Sequence, residues 1–336
     1  LNKIAIILFI ALFLSGCSRD PEINNPAETK IFYVPAGFPL PVYDLSENFN
    51  QNKFELGKKL FFDPILSVDN TISCASCHFP EAAFSDPGKS LSEGINNLQG
   101  KRNSPALINL AWQPFFMWDG GVNHIEVQPL APLTNPVEMG TSLTPIINTL
   151  NQNSTYKVAF KKAFDVDTIT SAYLFKALAH YMSCLISSES KYDQFTRGEI
   201  QLTNSELNGL NLFRQNCASC HSEPLFTDFS YRNNGIGWDI NSPDAGRYII
   251  TLQNSDSLKF KVPTLRNVEV TFPYMHDGRI NTLEEVIDHY ATGNFHSNVD
   301  NSITSISLSS SQKTDLLQFL KTLTDQKFLY NSRLRP

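Results

Sequence analysis

Along this chain the apolar residues recur mainly at the three- and four-residue spacing that lines one face of a helix. The stretches 55–62 and 207–213 are similar amphipathic segments. In each, a glycine (Gly57, Gly209) is followed four residues later by a phenylalanine (Phe61, Phe213) on the same helical face. Thr203-Asn-Ser-Glu206 has the form of a capping box that opens the second segment. Helical signals recur at 144–163, 168–190, 282–291 and 309–324, whereas 79–105, 112–140 and 222–280 are rich in Gly, Pro, Asn and Asp and predict long loops. Sustained alternation of period two is scarce, so the fold class expected is mainly α.

The 336 residues suit about two domains of ordinary size, and 41% hydrophobic content excludes a disordered chain. A net charge of −6 with no long basic run argues against nucleic acid as a partner, because phosphate neutralisation needs a basic face. Near the start, Lys3 precedes an apolar run from Ile4 to Leu14. That run is too short for a membrane span, which needs about 20 residues, and it reads as a secretory signal. Its ending, Leu14-Ser-Gly-Cys17, resembles a bacterial lipoprotein signal. The expectation is therefore a signal peptide over 1–16, a lipid anchor to the membrane on Cys17, a polar tether over 17–37 and a periplasmic location.

Four of the six cysteines fall in two identical pentapeptides, Cys74-Ala-Ser-Cys77-His78 and Cys217-Ala-Ser-Cys220-His221. Cys-x-x-Cys-His is the attachment site of c-type haem. Two thiols three residues apart reach the two vinyl groups on one side of a porphyrin, and the following histidine is placed to ligate the iron. A redox dithiol does not require the histidine, nor does a zinc site demand it twice at one offset. Two covalently bound haem c groups are thus expected, and Cys184, in an apolar helical stretch, reads as a buried core thiol. The repeated segments describe a duplicated haem domain, 38–202 and 203–336, with the first copy carrying an extra loop over 63–73. The long loops would wrap the haem edges and form the interface between the two domains.

From 38 to 323 the chain resembles the bacterial dihaem cytochrome c peroxidases and their MauG-type relatives. The resemblance rests on ordered motifs: Leu56-Gly-Lys-Lys-Leu-Phe-Phe-Asp-Pro64, Lys101-Arg-Asn-Ser-Pro105, Phe116-Met-Trp-Asp-Gly120, Asn135-Pro-Val-Glu-Met139, Lys261-Val-Pro-Thr-Leu-Arg-Asn267, Pro273-Tyr-Met-His-Asp-Gly278 and both haem sites. It implies two cytochrome c-like haem domains, the N-terminal haem reacting with hydrogen peroxide and the C-terminal haem transferring electrons. By position, Glu138 matches the distal acid–base carboxylate, Gln128 a distal hydrogen-bonding group, Pro132 a pocket wall and Trp118 the indole between the haems. Asn103, Thr271 and Pro273 match the ligands of an interdomain calcium, a hard cation suited to oxygen donors. Of the cations in family-like loops, Arg102, Arg247, Lys261 and Arg266 are candidates to pair with haem propionates.

Two departures bear on mechanism. Residues 79–123 contain no histidine, and no methionine other than Met117, to cap the N-terminal iron. That haem is therefore expected to be open and to react with peroxide without reductive activation. For the sixth ligand of the C-terminal haem, the residues downstream of His221 leave Met275, His276, His289, Tyr290 and His296 as candidates. The resemblance favours Tyr290, because the peroxidases' methionine ligand falls at that position and MauG-type proteins have tyrosine there. His276 resembles a histidine packed near the same haem. The reading is a peroxidase that takes electrons from a donor such as a small cytochrome or cupredoxin. The alternatives are a MauG-like oxidase of a protein or organic substrate and a non-catalytic dihaem electron carrier.

Overall fold

A computed structural model of the chain describes residues 30–239, 243–296 and 298–336. The expected signal peptide, Cys17 and most of the tether lie outside the described residues. Phe32–Pro336 form one compact unit. Its helices in chain order are α1 (Gln51–Phe62), α2 (Leu130–Thr134), α3 (Leu143–Gln152), α4 (Ser154–Phe164), α5 (Ser171–Ser183) and α6 (Lys191–Thr196). They continue with α7 (Asn204–Asn216), α8 (Tyr248–Thr251), α9 (Leu283–Thr292), α10 (Ser310–Lys321) and α11 (Gln326–Leu329). Among the described residues the only sheet is a two-residue antiparallel pair, β1 (Tyr231–Arg232) with β2 (Phe260–Lys261). No described helix is long and apolar enough to cross a membrane.

The same helix crossing is built twice, and a glycine makes each one possible. A Cβ on Gly57 of α1 would stand 2.0 Å from the Ala177 carbonyl oxygen and 2.8 Å from Tyr181 Cβ on α5. A Cβ on Gly209 of α7 would stand 2.0 Å from the Asp315 carbonyl oxygen and 2.7 Å from Phe319 Cβ on α10. One turn later the paired phenylalanines are buried, with Phe61 at 5.2 Å from the Tyr181 ring and Phe213 at 5.0 Å from Phe319. These are the two amphipathic segments of the sequence, each leading into a Cys-x-x-Cys-His site. The capping box at Thr203 forms as expected, with Thr203 Oγ1 accepting from Glu206 N–H and the Glu206 carboxylate from Thr203 N–H.

A turn is duplicated as well. Phe116 and Val122 bridge across one copy, Tyr274 and Ile280 across the other. Met117 and Met275 take positive φ, at 69° and 75°. The turn places Trp118 in the first copy at the position of His276 in the second.

The segment 144–163, expected as one helix, is two, because the Asn153 side chain accepts from Thr155 and Tyr156 N–H and starts α4 afresh. The signal over 168–190 likewise stops early. Helix α5 ends at Ser183, an extended stretch follows, and the Ser190–Asp193 capping box starts α6.

Candidate active site

The first attachment site is a single 3-10 turn, Cys74–Ser76, opened by a reciprocal cap between Ser73 and Ser76. The second is the C-terminal end of α7, where Cys217 caps the helix and His221 N–H donates to the Cys217 carbonyl at 2.9 Å. None of the four cysteines is in a disulfide. Both histidines are oriented alike: His78 Nδ1 lies 2.6 Å from the Phe84 carbonyl oxygen, and His221 Nδ1 lies 3.1 Å from that of Phe226. Each carbonyl comes from a residue with positive φ, 58° at Phe84 and 54° at Phe226. With Nδ1–H donating, the tautomer leaves the Nε2 lone pair for a metal. Burial lowers the His78 imidazole to about 4 and lowers His221 too, so both stay neutral, as ligands must.

Glu138 sits beside the first site: burial raises the Cys74 and Cys77 thiols, and the nearby Glu138 charge adds to it. Its loop follows α2 and is clamped from two sides. Ile95 N–H donates to the Glu138 carbonyl at 2.8 Å, and Val68 N–H to that of Met139 at 3.0 Å. Gly94 permits this approach, since a Cβ there would lie 2.2 Å from the Val137 carbonyl oxygen. Pro132, within α2, supplies the carbonyl that accepts Met139 N–H at 3.2 Å and so anchors the loop. Burial raises the Glu138 carboxyl above its ordinary range, and a hydrogen bond from Asn135 Nδ2 at 2.7 Å partly offsets that.

A cavity of about 470 Å³ opens around the second site. Its walls include Cys217, Cys220 and His221, and on the other side Gln128 and Trp118. Trp118 Nε1 donates to the Asn103 carbonyl at 2.9 Å, and Asn103 N–H donates to the His276 carbonyl at 2.7 Å. His276 is buried against Phe260, the rings stacked 3.7 Å apart, and burial lowers its imidazole to about 4. Asn103, Thr271 and Pro273 also line the cavity. The Asn103 amide nitrogen donates to the Lys89 and Ser90 carbonyls at 3.1 and 3.2 Å, which leaves Oδ1 as the atom presented for a cation.

Tyr290 and Met275 both face this cavity. The Tyr290 phenol is pushed up to about 12, chiefly by burial and also by the Cys217 and Cys220 thiols, so it stands near the second site. Asn234 Nδ2 donates to Met275 Sδ at 3.1 Å. His289 points elsewhere, its Nε2 lying 3.0 Å from the Asn234 carbonyl oxygen. Asn234 carried no mark in the sequence, because its role comes from contacts 41 and 55 residues away.

The four candidate propionate partners differ in what already engages them. Arg266 is fully buried and forms a two-pronged pair with Asp193 at 2.8 and 2.9 Å. Arg102 is held by Asp244 and Asp119 at 2.5–2.9 Å. Arg247 donates to the Asp119 carbonyl and lies 3.8 Å over the Tyr231 ring. None of these three lines the cavity, and their guanidinium groups have partners within the protein. Lys261 does line it, with the neutral partners Gln113 Oε1 at 2.5 Å and the Phe115 carbonyl at 3.0 Å, and burial lowers its amine to about 7.

Two equivalent thiol pairs with oriented neutral histidines, carried on a duplicated helix crossing, define a dihaem c-type cytochrome. The di-haem cytochrome c peroxidase family profile matches residues 51–201. The chain is 32% identical over 312 residues to methylamine utilization protein MauG of Methylophilus methylotrophus, covering 89% of each chain. It is 34% identical over 279 residues to cytochrome c551 peroxidase of Nitrosomonas europaea, covering 82% of this chain and 80% of that one. Among solved structures it is similar to a MauG-like protein associated with microbial copper homeostasis, with a TM-score of 0.81 and 32% identity over 90% of this chain and 97% of that one. The chain belongs to the dihaem cytochrome c peroxidase and MauG family. It is a peroxidase-type oxidoreductase of mainly α fold, with two cytochrome c-like domains and two haem c groups as cofactors.

Proposed function

We propose that the chain reduces hydrogen peroxide to water at the site of Cys74, Cys77 and His78, with electrons delivered through the site of Cys217, Cys220 and His221. The observation that carries this reading is a half-buried carboxylate, Glu138, held by Asn135 and standing next to the first pair of thiols. The haems, when bound, supply an iron that takes peroxide oxygen and two centres that store and pass electrons. Overall, hydrogen peroxide, two electrons and two protons give two waters. Ionised Glu138 takes the proton from the inner peroxide oxygen and returns it to the outer one, which leaves as water. His78 Nε2 would hold the iron, with the Phe84 carbonyl fixing the ring. Pro132 keeps the Glu138 loop in place.

Trp118, on the cavity wall between the two halves, suits electron passage between the sites, and Gln128 supplies an amide to the same space. Tyr290 is proposed as the second site's sixth ligand in preference to Met275, whose sulfur already accepts a hydrogen bond. Lys261 is the cation best placed to face a propionate. Asn103 Oδ1, with the Thr271 and Pro273 carbonyls, would hold calcium between the halves. Thr203 marks the boundary of the domains 38–202 and 203–336. Covalent haem attachment outside the cytoplasm supports a periplasmic location, with a small cytochrome or cupredoxin as donor.

Tyrosine ligation also favours a second reading, oxidation of a protein or organic substrate as in MauG-type proteins, since an anionic oxygen ligand stabilises higher iron oxidation states. Assays of peroxide consumption by the holoprotein with several reduced donors test the first reading. Turnover supported by a small redox protein is the expected result, and peroxide consumption that no donor accelerates would reject it.

A further inference from the structure

Asn234 stands where the two candidate ligands of the second site meet. Its Oδ1 accepts from Ile236 N–H at 3.3 Å, which fixes the amide so that Nδ2 faces the cavity. One Nδ2 proton goes to Met275 Sδ at 3.1 Å. Tyr290 lines the same cavity, so the amide and the phenol face one space. The main chain of Asn234 is tied to the same helix, its carbonyl accepting from His289 on α9, one residue before Tyr290. The amide nitrogen thus engages one of the two candidate ligands, the thioether, and leaves the phenol to the cavity.

We propose that Asn234 is the positioning residue that decides which side chain the second iron takes: it occupies the Met275 sulfur and so leaves ligation to the Tyr290 oxygen. This rests on the reading of Tyr290 as ligand given above. For Met275 to ligate, its sulfur would have to leave the amide, and a donor in a buried cavity would then lose its partner. Without the amide this constraint vanishes, and the thioether becomes free to compete.

The test uses holoprotein carrying Asn234→Leu, Asn234→Asp, Tyr290→Phe, Met275→Leu and the double change Asn234→Leu/Met275→Leu, each checked for two haems per chain. Asn234→Leu and the isosteric Asn234→Asp should each give one haem a sulfur-to-iron charge-transfer band in the near infrared and a higher midpoint potential, as thioether ligation does. The double variant should lack both, and Met275→Leu alone should match the native spectrum. Unchanged spectra and potentials in both Asn234 variants would overturn the proposal, as would the same change in Asn234→Leu with and without Met275. A native spectrum in Tyr290→Phe would instead remove the ligand reading itself, and the proposal with it.

Discussion

Asn135 Nδ2 donates to Glu138 Oε1 across 2.7 Å, in a loop whose backbone is held by Ile95 and Val68. The contact aims a carboxylate that burial would otherwise drive toward its neutral form. Glu138→Gln keeps the shape and the Asn135 contact but removes the proton acceptor. Peroxide turnover should fall by about 10²–10⁴-fold, the usual worth of a general acid–base group, with haem content intact. Native turnover in a steady-state assay would reject the acid–base role.

The pH profile follows from the same pair. Glu138 must be ionised to accept the peroxide proton, so activity is lost as pH falls through its raised pKa. The hydrogen bond from Asn135 favours the ionised form. Asn135→Leu should therefore move the acid limb of the rate profile to higher pH than in the native enzyme. A limb that stays fixed, or moves to lower pH, would separate Asn135 from catalysis.

Tyr290→Phe should change the low-spin spectrum and raise the midpoint potential of one haem, because loss of an anionic oxygen ligand disfavours the ferric state. Potentiometric titration reads this directly. An unaltered potential would exclude phenolate ligation.

Gly57 and Gly209 should resist substitution equally. A Cβ at either would lie 2.0 Å from a backbone carbonyl oxygen of the facing helix, which cannot swing aside as a side chain could. Gly57→Ala or Gly209→Ala should destabilise the protein by about 3 kcal/mol, the upper end for overpacking, as read by denaturant unfolding. A change under about 1 kcal/mol would show that the crossings can open.

Chelation of divalent cations should disturb electron exchange between the haems, since Asn103 joins the proposed calcium site to both Trp118 and His276 by its main chain. Spectra and turnover that survive metal-free conditions would dismiss calcium.

Much of this was legible in the residues alone where the chemistry is local. The haem sites are contiguous pentapeptides, so their spacing states their function. Helices α9 and α10 fall within three residues of the periodic signals at 282–291 and 309–324. The glycines at 57 and 209 were visible as a repeat, although only the facing carbonyls explain them. What escaped was tertiary. Arg266 sits in a family-like loop, yet its charge is matched by Asp193, 73 residues away. The break at Asn153 depends on a side-chain cap that competes with an unbroken apolar face. Asn234 lies in a glycine-rich loop with no pattern of its own, and only the folded chain brings Met275 to its amide and His289 to its carbonyl.

Titration of the ferric holoprotein with cyanide, followed by optical and electron paramagnetic resonance spectra, probes the asymmetry of the two irons most directly. One equivalent per chain should bind, at the haem attached to Cys74 and Cys77, and leave the other spectrum unchanged. Binding at neither haem, or binding equally at both, would contradict an open centre beside Glu138 paired with a saturated one.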